Sequence, residues 1–203
     1  MSETDAANLH AAQWREWRAA IGSPRMHHAW ILAGRRGLGK HDFALAAARQ
    51  IVAIGRETPV AENDPDIHLL THLPKDDKEA KKADKGEPFE TKRNIAIEQI
   101  RGMQARLNTR PTLGPRRAII INPADDLERN AANALLKSLE EPPAGTFFLL
   151  VTHRPGLLLP TIRSRARILR FNPLPSGDVE KALRAANDMA DPADIALAAR
   201  ASG

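Results

Sequence analysis

Gly34, Gly37, Gly39 and Lys40 fall within the run GRRGLGKHD, residues 34–42. This is a G-x-x-x-x-G-K spacing suited to the oxygens of a phosphate chain. Glycines let backbone N–H groups come close to an anion, a following helix adds the favourable end of its dipole, and the lysine supplies a point charge. The next position decides whether such a loop can hydrolyse a nucleotide. A Ser or Thr hydroxyl there would bind the magnesium ion that bridges the phosphates. This chain has His41, and an imidazole nitrogen is a poor ligand for hard magnesium. Asp42, in the same helical turn, suits the dipole but opposes a polyphosphate, whereas Arg35 and Arg36 favour one. The loop alone leaves nucleotide affinity open and disfavours catalysis.

A hydrolytic site of this kind also needs a carboxylate at the end of a neighbouring strand to orient magnesium, followed by a base to activate water. The matching run is AIIINPADD, residues 118–126, which offers Asn122 and Pro123 at those places. Asn122 has no charge and Pro123 no basic group, and loss of a general base alone costs about 10²- to 10⁴-fold. Asp125 and Asp126 lie past the strand end. They are expected to cap the following helix or compensate its dipole rather than catalyse.

These residues need a parallel sheet to bring them together. Continuous apolar runs at 28–34, 66–71, 116–122 and 145–152, and the second half of 161–171, read as five strands. The run at 116–122 is too unbroken to alternate, as expected of a strand covered on both faces. Between the strands lie helical patterns at 41–54, at 95–108, with Ile97, Ile100, Met103 and Leu107 on one face, and at 126–143, stopped by Pro142 and Pro143. Alternating strands and helices predict an α/β fold with a five-stranded parallel sheet. From residue 173 the pattern is helical only, with Ser176 and Pro192 as start signals. Residues 1–172 are therefore expected to form one domain and 173–203 the start of a small helical lid.

Composition narrows the function classes. The 203 residues include no cysteine, which excludes disulfides, thiolate nucleophiles and cysteine zinc sites. No stretch approaches the roughly 20 apolar residues of a membrane span, so a soluble, cytoplasmic protein is expected. The net charge of +5 invites nucleic acid, but the densest run, 75–93, mixes seven Lys and Arg with six Asp and Glu. Its field nearly cancels, and a plain solvated loop is expected there. Trp14 and Trp17, three residues apart, are expected to pack rather than stack on bases.

Together with NAANALLKSLEEPPAGTFFLLVT (130–152) and LLLPTIRSRARILRF (157–171), the phosphate loop resembles the AAA+ subunits of bacterial clamp loaders, from about Trp14 to the end of the chain. NALLKSLEEPP, residues 133–143, is the most specific piece. The resemblance implies a five-stranded AAA+ domain, a helical lid and, in full-length relatives, a helical collar, which makes this chain an expected fragment. Ser164, Arg165 and Ala166 match the family's S-R-C motif. Its arginine reaches the γ-phosphate of ATP held by a neighbouring motor subunit, and such fingers are worth about 10³ to 10⁵ in rate. Ala166 replaces the cysteine with another small residue. On composition alone, Arg163, Arg165 and Arg167 are ordinary surface charges.

The family's four-cysteine zinc module has no ligands in residues 55–66, and His68 and His72 do not replace them, so no metal is expected. Thr152 and His153 fall in the family's phosphate-sensing region, where a satisfied strand-end group is an equal reading. The implied role is a non-hydrolysing clamp-loader subunit that requires no cofactor, with weak ATP or ADP binding left open. Its implied partners are motor subunits, a delta-like subunit and, through the complex, the sliding clamp and primer–template DNA. No membrane is among them. The rivals are an active ATPase motor subunit and a basic DNA-binding module.

Overall fold

The computed structural model describes residues 10–23 and 25–173. The helical lid expected beyond residue 173, with Ser176 and Pro192, lies outside them. Five strands are present: β1 (Ala29–Ala33), β2 (Ile67–Leu70), β3 (Arg117–Ile121), β4 (Thr146–Thr152) and β5 (Arg167–Arg170). They form one parallel sheet in the order β2-β3-β4-β1-β5. The helices are α1 (Ala11–Ile21), α2 (Lys40–Ala53), α3 (Asp77–Asp84), α4 (Ile97–Leu107), α5 (Arg129–Glu140) and α6 (Pro160–Arg163).

Every residue of β1 and β3 is buried, which explains their unbroken apolar sequences: a central parallel strand is covered on both faces. Successive side chains point to opposite sides. Ala29, Ile31 and Ala33 join Ile100, Met103, Leu135 and Leu139 in one core. Trp30 and Leu32 join Trp14, Trp17, Phe43 and Ile51 in the other. Both α1 tryptophans are thus packing anchors, and Trp17 Nε1 donates to Gln50 Oε1 at 3.0 Å. The alanines Ala44, Ala47 and Ala48 are fully buried along α2, and they let that helix lie close to the sheet.

The loop between α2 and β2 has a polar centre. Arg56 Nη1 donates to Asp64 Oδ2 at 2.6 Å, with side-chain exposures of only 2% and 0%. The same guanidinium reaches Thr58 Oγ1 and Pro59 O, and Asp64 Oδ1 accepts from Asp66 N. The turn is held by an ion pair.

Two expectations need correction. The charged run 75–93 is not a plain loop, because it contains α3. Asp76 caps that helix by accepting from Glu79 N at 3.0 Å, and Pro74 pairs with Thr91 at the base of the excursion. The residues of the helix that are not exposed are the small Ala80 and Ala83 and the polar Lys82 and Glu79, the last accepting from Glu90 N and Lys82 Nζ. The helix therefore leaves no apolar periodicity to read. Secondly, Asp125 and Asp126 do not cap α5. They lie in a separate 3₁₀ turn, Ala124–Asp126, and Glu128 occupies the N-cap of α5 without a side-chain capping bond.

Candidate functional site

The carboxyl ends of β1, β3 and β4, adjacent in the sheet, supply the residues of the phosphate-loop site; in parallel α/β sheets this is the edge where ligands bind. Two glycines shape the loop for physical reasons. Gly39 has φ 65° at the entrance to α2, and a Cβ on Gly34 would lie 2.3 Å from Phe171 O. A side chain would be strained at the first and would collide with backbone at the second.

Lys40 is 3% exposed, and its Nζ donates to Arg35 O, a carbonyl of its own loop, at 2.5 Å. Burial pushes its amine down to about 8, with the nearby Asp125 charge opposing that shift. His41 and Asn122 bond to each other, with the amide nitrogen 3.0 Å from imidazole Nδ1. In a hydrolytic site these two positions would carry magnesium ligands. Here the His41 imidazole and the Asn122 amide nitrogen are paired, and neither residue offers the hydroxyl or the carboxylate that magnesium would take there, so the residues present do not fit magnesium.

Asp125 is the most heavily used polar group of the site. Its carboxylate accepts from the Thr152 hydroxyl, from His153 N at 2.6 Å and from Arg154 N at 3.2 Å. It ties the turn after β3 to the end of β4 and is a structural acceptor rather than a free base. Thr152 is fully buried and satisfied, the quieter of its two sequence readings. His153 Nδ1 is buried without a hydrogen-bond partner among the described residues, and burial, then the Lys40 charge, holds its imidazole below the usual range. Asp126 lies 3.1 Å from His72 Nε2, without hydrogen-bond alignment. His68 sits on β2, and among the described residues no group of three or more His, Asp or Glu is placed to hold a metal ion.

His10 was not legible as a site residue. It is 6% exposed, packs edge-on against Phe171 at 4.8 Å, and its Nε2 lies 2.6 Å from Leu38 O, so it closes the phosphate loop from the amino-terminal side. Burial lowers its pKa. No signal marks it, since it stands between Leu9 and Ala11, far in sequence from the phosphate-loop run.

Arg165 lies between α6 and β5, and none of its bonds involves the phosphate loop. Its partners are Glu140, Thr161 and Ser164. Ala166 packs against the core, as a small residue in place of cysteine should. Arg167 pairs with Glu16 at 3.1 Å and lies over the Trp30 ring, and Arg163 is exposed.

Fold and site together define a P-loop domain of the AAA+ type in which the two magnesium positions are bonded to one another. Comparison with known proteins agrees. The family model for DNA polymerase III, delta subunit, matches residues 9–175. DNA polymerase III subunit delta' of Pseudomonas aeruginosa is 33% identical over 181 residues, covering 83% of this chain and 50% of that protein. Its Bacillus subtilis counterpart is also 33% identical, over 81% of this chain and 48% of that one. Among solved structures, a DNA polymerase III gamma subunit-related protein of Thermotoga maritima superposes with a TM-score of 0.60 over 92% of this chain and 56% of its own, at 24% identity. The chain belongs to the DNA polymerase III delta-subunit family. It spans about half the length of the curated relatives it matches.

Proposed function

We propose that this chain is the AAA+ portion of a delta'-type clamp-loader subunit that does not hydrolyse ATP itself. Arg165, set beside Ser164, acts in trans on ATP held by a neighbouring motor subunit as the sliding clamp is loaded at primer–template DNA in the cytoplasm. We assign the nucleotide-binding-like domain to residues 1–172; the lid expected over 173–203 lies, past residue 173, outside the described residues. The observation that carries the proposal is the His41–Asn122 hydrogen bond, which removes both magnesium positions from use. Pro123 adds the lack of a base, and family membership supplies the machine. The loop glycines and Lys40 keep a scaffold on which weak ATP or ADP binding needs no metal.

Two measurements test this. The purified chain should show no steady ATP turnover; turnover abolished by Lys40→Ala would make it a motor and overturn the proposal. In a reconstituted loader, Arg165→Ala should lower ATP turnover while assembly, followed by size-exclusion chromatography, is unchanged. Unaltered turnover would remove the finger role.

A further inference from the structure

Glu140 is the last residue of α5, and its Oε1 lies 2.8 Å from Arg165 Nη2. The other terminal nitrogen of that guanidinium donates to Thr161 O at 3.0 Å and to Ser164 Oγ at 3.3 Å. Both prongs of the fork are therefore held by groups of the same chain. The elements on either side are anchored in the core: Leu139, next to Glu140, and Ile162, three residues before Arg165, are each 1% exposed and share one core cluster.

Building on the finger role proposed above, we infer that Glu140 is a positioning residue that parks Arg165 on its own subunit, and that a phosphate in the neighbouring site must displace this carboxylate to engage the finger. A carboxylate at hydrogen-bond distance neutralises the guanidinium and repels the anion it is to meet. The two side chains are 35% and 49% exposed, so the pair belongs to the weak class of surface ion pairs. It biases the arginine when no phosphate is present, and yields to the stronger charge-assisted bonds of a multiply charged phosphate. The parked state thus ties release of the finger to occupation of the site next door.

The test uses the assembled loader with magnesium and ATP. Glu140→Gln, which keeps shape and removes charge, should raise kcat by up to about fivefold, the ceiling set by an exposed ion pair, and leave KM for ATP unchanged. Glu140→Asp, which keeps the charge, should stay near wild type. On an Arg165→Ala background, Glu140→Gln should change nothing. A fall in kcat with Glu140→Gln, no change while Arg165→Ala still lowers turnover, or an equal rise on the Arg165→Ala background would each overturn the parking role alone. No effect of Arg165→Ala would overturn the finger role and this inference with it.

Discussion

Lys40 illustrates how a phosphate-loop residue behaves when its loop supplies the acceptor. Its ammonium is buried against Arg35 O and its pKa falls to about 8, below the 10.5 of an ordinary lysine. Because the folded-state value lies below the unfolded one, holding the charge opposes folding at neutral pH. That cost is lifted as pH rises from about 8 to 10.5, so this group makes the protein more stable across that window. The expected observation is a lysine side-chain NMR resonance titrating near pH 8 that disappears in Lys40→Ala. A midpoint near 10.5 would show that Lys40 is solvated instead. Asp125 shows a related point. Its carboxylate stands near a catalytic position in the sequence, yet three donors already occupy it.

At the scale of elements, the loop from α2 to β2 and the excursion carrying α3 solve the same problem differently. The excursion closes on itself through backbone pairing at Pro74 and Thr91 and a capped helix, so few of its bonds reach the core. The α2–β2 loop depends on one buried ion pair, Arg56–Asp64. Removing one partner of such a pair leaves a buried charge uncompensated, at a cost of about 3–5 kcal/mol. Asp64→Ala is therefore expected to lower the denaturation midpoint in urea sharply. By contrast, Lys75→Ala, which removes the exposed Lys75–Glu90 pair, should move it little. Equal effects of the two substitutions would contradict the burial of the first pair.

At the scale of the whole molecule, the pairing of His41 with Asn122 is a product of sheet order. His41 lies in the first turn of α2, after β1, and Asn122 directly follows β3; the parallel sheet, with β4 between those two strands, brings them within 3.0 Å. Replacing both, as His41→Ser with Asn122→Asp, restores a hydroxyl and a carboxylate at the metal positions. Nucleotide binding measured by calorimetry should become magnesium-dependent in the double variant, while magnesium leaves the unaltered chain unmoved. Turnover should stay absent in both, because Pro123 supplies no base. Magnesium-dependent binding by the unaltered chain would show that the His41–Asn122 bond opens readily.

Much of this molecule was written locally. The unbroken β-branched run at 116–122 identified a strand buried on both faces, helical spacing in 95–108 marked the inner face of α4, and G-x-x-x-x-G-K between strand and helix marked the phosphate loop. Chemical absences were equally legible, since His41, Asn122 and Pro123 lack the required groups whatever surrounds them. The α3 helix was hidden because its inner face is alanine and a satisfied glutamate rather than an apolar stripe. His10 on Leu38 O, Asp125 on Thr152, and Glu140 on Arg165 were hidden for another reason: each joins residues about 25 or more positions apart. Periodicity reports which face of an element is buried, but not which strand ends lie side by side. Only the order of the sheet and the packing of α5 against α6 decided which polar groups found each other, and with that which remained free to act.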